Sequence, residues 1–208
     1  EGKATLVLRG AAARVEGIIF QNIRVPDKNG AGIRLEKGNL AVLQSWFRDS
    51  EQGILSGDDP ASTITVEKST FTRLGGCPNG MCSHSLYIGN YGGLSVTRSR
   101  FEHGTGGHYV KSRAARVQIT QSSFDDTGGT ATNYMIDLPG GATGAISGNV
   151  FVQGRDKENY SAFITVAPEG KAHPSNGLAI ADNDARIAPG VSRNTFFVAD
   201  WAGDPLNI

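Results

Sequence analysis

Two short segments of the chain concentrate side chains that can do chemistry. "HSLYIGN" (84–90) carries His84, Tyr87 and Asn90, and "GHYVKSRA" (107–114) carries His108, Tyr109, Lys111 and Arg113. Asp137 follows in "NYMIDLPGG" (133–141). These types suit proton transfer and anion binding. Histidine titrates near neutral pH. Lysine accepts a proton only when its pKa is lowered, which an adjacent arginine favours and a nearby aspartate opposes. The plain alternative is a solvated strand face, with Lys111 and Arg113 as solubilising charges and Tyr87 chosen for strand propensity. An exposed Lys111–Asp137 pair would then be worth little. The choice depends on whether the fold brings the three segments together.

A repeat supplies the elements that must position them. The template apolar-x-apolar-x-x-Ser/Asn-x-Phe matches "LAVLQSWF" (40–47), "ITVEKSTF" (64–71), "LSVTRSRF" (94–101) and "VQITQSSF" (117–124). It fits "ARVEGIIF" (13–20), "GAISGNVF" (144–151) and "LAIADNDA" (178–185) more loosely. Alternating apolar residues mark a short strand with one buried face. The Ser or Asn suits a polar corner, where its side chain can bond the turn backbone. Stacked copies would align Ser45, Ser69, Ser99, Ser122, Asn149 and Asn183, with Phe20, Phe47, Phe71, Phe101, Phe124 and Phe151 in the core. A second strand set lies between the copies and includes the two reactive segments. A β-sandwich would instead show two-residue hairpin turns and no stacked corner.

Composition narrows the partners. Lys+Arg and Asp+Glu are both 20, so no single-sign field points to nucleic acid or an anionic membrane. No apolar run is long enough to cross a bilayer as a helix. The 28 glycines lack a Gly-X-Y period and fit tight corners between strands. Cys77 and Cys82 flank a Pro-Asn-Gly turn signal, and no His or Cys cluster completes a zinc set. A local disulfide is the favoured reading, and it suits an extracellular or periplasmic protein. The opening "EGKATLVLRG" reads as strand rather than secretion signal, as in a mature form or a fragment of a precursor.

The expected fold is all-β, a single parallel β-helix domain over residues 1–208 with about seven rungs. At this rung length the layout resembles the right-handed, pectate-lyase-like β-helix superfamily. "HSLYIGN" and "GHYVKSRA" are also similar to a pair of motifs in bacterial proteins of that superfamily. Such proteins usually carry an N-terminal cap, so a cap or further rungs are expected ahead of Glu1, and an uncapped end would allow end-to-end self-association.

The resemblance places the ligand on the strand set that contains the two segments. Aligning Ile33, Ile54, Leu86, Val110 and Ile136 as buried gives an outward row of Arg34, Leu55, Tyr87, Lys111, Asp137 and Thr165. A flanking outward row would hold Ser85, Tyr109 and Met135. His84 and His108 fall at the strand entrance, and the glycines before His108, with Gly89, are expected to leave room above the face. The resemblance implies a uronic-acid polysaccharide and β-elimination by a lyase, or the related epimerisation. Lys111 would act as base and Arg113 as carboxylate neutraliser, with Tyr87 as acid and His84 or His108 as the competing base. Tyr109, Asp137, Asn90 and Arg34 would bind substrate. A non-catalytic glycan-binding or adhesin-like module is the alternative. A hydrolase pairing Asp137 with a loop carboxylate such as Asp125 or Asp126 is a further one. No cofactor is expected, with calcium left open, because the carboxylates are too few for a typical shell. "RDKEN" (155–159) reads as a solvated charged loop or as one wall of the groove, and His103 and His173 read as surface residues.

Overall fold

The computed structural model describes residues 3–208. Three parallel sheets of eight, seven and seven strands run along one axis. Every third strand in chain order joins the same sheet, so the single chain winds about six turns of a β-solenoid. The first sheet holds Ala4–Leu8, Ala31–Leu35, Gln52–Ser56, Leu86–Ile88, Val110–Ser112, Ile136–Leu138, Ala162–Val166 and Phe196–Asp200. Its neighbours pair in parallel throughout. This arrangement excludes the hairpins of a sandwich. Among the described residues, no helix is long and apolar enough to cross a membrane.

The sequence repeat spans the bend between the second and third sheets. "LAVL" ends the second-sheet strand Asn39–Leu43, and Phe47 lies in the third-sheet strand Trp46–Ser50. Between them Gln44 takes the left-handed conformation (φ 46°), as do Lys68, Arg98, Gln121 and Asp182 in the equivalent places. Glycine occupies this position in two copies, as Gly17 and Gly148. Five ordinary residues therefore accept a backbone state that favours glycine.

The Ser/Asn ladder holds that bend in place. The backbone N–H of Ser45 donates to Ser69 Oγ, that of Ser69 to Ser99 Oγ, and that of Ser99 to Ser122 Oγ, at 3.1–3.2 Å. Ser122 and Asn149 continue it onto the Oδ1 atoms of Asn149 and Asn183 at 2.9 and 3.0 Å. Each of the four serine hydroxyls donates in turn to the carbonyl two residues earlier. Every buried polar group of the corner is thus paired, which the low-dielectric interior requires. Beside the ladder, Phe20, Phe47, Phe71, Phe101, Phe124 and Phe151 stack with centroids 4.7–4.9 Å apart and nearly parallel planes.

Ser99→Ala should cost about 1–3 kcal/mol in urea unfolding, because the Ser69 N–H loses its buried acceptor. Ser99→Asn should recover much of that loss, since Asn149 fills the same role one rung beyond Ser122. Equal destabilisation by Ala and Asn would show that the ladder's hydrogen bonds are not what the corner needs.

Candidate functional site

Strand register aligns Arg34, Leu55, Tyr87, Lys111, Asp137 and Thr165, one from each successive strand of the first sheet. Alternation had placed these residues in one row, and they form it. Lys111 Nζ donates to Asp137 Oδ2 at 2.9 Å and to Glu169 Oε1 at 2.6 Å. Glu169 Oε2 accepts from Arg113 Nη2 at 2.5 Å, and Arg113 Nε points to the Tyr87 hydroxyl at 3.4 Å. Thr165 Oγ1 donates to Asp137 Oδ1 at 2.8 Å. Two cations and two carboxylates therefore share one connected network that the Tyr87 phenol joins.

Burial differs sharply across this network. The side chains of Asp137 and Lys111 are 3% and 11% exposed, while that of Glu169 is 46% exposed. Burial alone would lower the Lys111 pKa, but Asp137 and Glu169 outweigh it and hold the ammonium above its ordinary value. Burial would likewise raise Glu169, yet its bonds to Lys111 and Arg113 bring the carboxyl down to about 2. The expectation of Lys111 as general base is corrected here. A lysine gripped by two carboxylates stays charged near neutral pH.

Glu169 was not singled out from the sequence. It sits in "VAPEGKAH", just past the strand that carries Thr165, and reaches back over two rungs. The backbone around it is anchored to the preceding rung. The N–H of Glu169 donates to Pro139 O at 3.1 Å, and those of Ala172 and His173 donate to Gly140 O at 2.8 Å. His173 is half-buried, with Nε2 3.1 Å from Arg113 O, so this surface loop residue is also fastened to the Arg113 backbone. The signal in the sequence was an acid between Pro168 and Gly170 at the exit of an outward-row strand.

His84 and His108 stack at the strand entrance with centroids 5.0 Å apart, with Tyr87 against His84 and Tyr134 against His108. Gly107 makes the close approach possible. It has φ 63°, and a Cβ there would lie 2.1 Å from Ser83 O and 2.8 Å from His84 Nδ1. The glycines before His108 thus admit a neighbouring rung instead of leaving room above the face. The His108 N–H donates to His84 Nδ1 at 3.0 Å, which puts the proton of the neutral His84 ring on Nε2. His84 is then a donor rather than a base. His108 Nε2 lies 3.4 Å from Asp137 Oδ2, and Nδ1 is buried without a partner among the described residues. Burial, then the Lys111 charge, depresses His108 to about 3, and burial with the His108 and Lys111 charges holds His84 well below its ordinary value. Both rings are neutral near pH 7, and neither offers a ligand an open base.

The flanking row points inward, which corrects Tyr109 as a substrate-binding residue. Its ring packs edge-on against Phe101 and Phe124. Ser85 and Met135 are buried with it. The sheet turns a corner here, so two successive residues, Tyr109 and Val110, both face the core. At the matching positions Gly32 and Gly53, an added Cβ would strike the Phe47 and Phe71 rings. The Tyr109 hydroxyl donates to Asp126 Oδ1 at 2.7 Å. Asp126 also accepts from Thr132 Oγ1 and the Gly154 N–H, and its Oδ2 lies 3.3 Å from Lys157 Nζ. The Asp126 and Lys157 side chains are 0% and 1% exposed. Asp126 is therefore a loop fastener and no hydrolytic carboxylate, and the "RDKEN" loop is not simply solvated.

Arg34 lies three strands along the row from Lys111 and pairs with Glu36 at 2.9 Å. Asn90 is half-exposed at the corner beyond Ile88, with its backbone bound to Asp58 and Asp59, and it takes no part in the network. Between Arg34 and Tyr87 runs a shallow groove of about 260 Å³, walled by Asp27–Asn29 and by Met81–Ser83. Cys82 of that second wall forms a disulfide with Cys77. Among the described residues, no three His, Cys, Asp or Glu side chains converge as a metal site. No family model matches the chain, and no curated protein or solved structure is significantly similar to it.

The histidine pair sets a pH dependence. A folded pKa of about 3 against 6.5 unfolded means the unfolded chain binds more protons between those values. Stability should be full above pH 6.5 and fall as pH drops below it, with Glu169 adding to the loss only below its ordinary value of 4.5. His108→Phe should reduce, but not abolish, the slope of urea-derived stability between pH 6.5 and 4.5, since His84 remains, and an unchanged slope would count against the histidine stack as its source.

Proposed function

We propose that the outward face of the first sheet binds a glycan that carries uronic acids, with Lys111 and Arg113 holding a sugar carboxylate. One observation carries the reading: a single carboxylate, that of Glu169, already lies across these two cations at 2.6 and 2.5 Å. Cations that grip one carboxylate with two hydrogen bonds are matched to that group in spacing and direction. The groove beside Tyr87 gives an extended ligand room toward Arg34. The resemblance to pectate-lyase-like β-helices agrees with this choice of ligand, and the disulfide suits an extracellular or periplasmic setting.

Lyase or epimerase chemistry is the second reading, favoured by the phenol beside the two cations. Neutralising the carboxylate makes the C5 proton of a uronate easier to remove. In elimination a solvent base takes the C5 proton, the C5–H electron pair forms the C4=C5 double bond, the C4–O bond breaks, and the leaving oxygen takes a proton that its donor regains from solvent. The contact with Arg113 supports Tyr87 as the group that moves that proton, because its oxygen accepts from Arg113 and its O–H stays available. Hydrolysis is less well supported. Asp137 is buried, and a carboxyl held at about 2 makes Glu169 a poor proton donor near neutral pH.

Wild type, Lys111→Ala and Tyr87→Phe should be compared on a panel of acidic polysaccharides by affinity and by ultraviolet absorbance of unsaturated products. Lys111→Ala should weaken binding by about ten- to a hundred-fold, the worth of a charged hydrogen bond. If the lyase reading holds, Tyr87→Phe should lose turnover and keep affinity. Wild type that binds without ever producing absorbance would leave a glycan-binding module, and wild type that binds none of the acidic polymers would overturn the proposal.

A further inference from the structure

We infer that Glu169 is a built-in occupant of the Lys111–Arg113 receptor, one that an incoming carboxylate must displace and that sets the site's preference for carboxylate ligands. The inference rests on the carboxylate-receptor reading above. Three observations support it. Glu169 satisfies both cations at once, Oε1 on Lys111 and Oε2 on Arg113. It is also the exposed partner, whereas Asp137 beneath Lys111 is buried and further held by Thr165. Finally, its backbone is fixed to Pro139 while the neighbouring residues bind Gly140 and Arg113, so displacement needs only side-chain rotation. The buried Asp137 is the permanent counter-ion, and Glu169 the exchangeable one.

The consequence is selectivity by competition. A neutral sugar offers hydroxyls, which are weaker partners for Lys111 and Arg113 than a carboxylate, so Glu169 would stay in place. A uronate carboxylate replaces it with equal charge and leaves Glu169 to solvent. With Glu169 removed, Lys111 and Arg113 would face only Asp137, and the receptor would carry a net positive charge.

The test compares wild type with Glu169→Gln, which keeps size and removes charge, using glucuronate, acetate and oligouronates as probes by calorimetry. Glu169→Ala serves as a second variant, and thermal melts establish that both are folded. Tighter binding of carboxylate probes to both variants, by about ten-fold, is expected from releasing two partly exposed ion pairs. Neutral glucose should gain nothing. Weaker binding by the variants would make Glu169 a ligand contact and overturn the inference, as would unchanged affinity. Either of these with wild type still binding oligouronates would leave the proposed function standing. Gain on acetate and glucuronate with no binding of any oligouronate would support the inference and sink the glycan reading. No binding of any probe by any form would overturn both.

Discussion

The rung spacing of a parallel sheet, about 4.8 Å, governs this molecule. Backbone hydrogen bonds impose it on all three sheets, and the same distance is comfortable for stacked aromatic rings. The phenylalanine column at 4.7–4.9 Å and the Ser/Asn ladder both follow from that match. Residues separated by a whole rung in sequence become contact neighbours. A lysine and an aspartate 26 positions apart can thus share a hydrogen bond, as can serines 24 or 30 apart.

That constraint also explains how the candidate site tolerates its charges. Taking an ammonium out of water is expensive unless partners replace the lost hydration. Lys111 recovers it from one carboxylate on the next strand and another on the loop beyond. The histidines are accommodated differently. They stay neutral and stack, with one ring nitrogen engaged by the backbone. Asp126 follows the first pattern more deeply, where a buried ammonium and several neutral donors tie successive loops together. Polar residues in this solenoid are fastened from rung to rung, and that makes them part of its architecture.

Much of this was legible in the sequence because two periods do the coding. Alternation within a strand put Arg34, Leu55, Tyr87, Lys111, Asp137 and Thr165 in one row, and the longer repeat aligned the phenylalanines and polar corners. Both arguments fail where the chain bends. Tyr109 sits at a corner, where successive residues can both face inward, so parity misassigned it. The left-handed residues before each Ser or Asn were invisible because Gln, Lys and Arg do not announce that conformation. Glu169 escaped because loops obey neither period. Its partners are set by how far a side chain from one loop can reach across two rungs. Roles proved harder to read than positions: Lys111 was placed correctly in its row, but Asp137 and Glu169 together hold its charge.

The balanced network has a kinetic side. Two cations closed by two carboxylates project little field into solvent, so this face does not steer anionic molecules toward it from a distance. Encounter would proceed at an ordinary diffusional rate with weak dependence on ionic strength, and discrimination would fall mainly on how long a complex survives. On the proposed reading, such a face would meet many polyanions at ordinary rates and retain only those whose carboxylates displace Glu169.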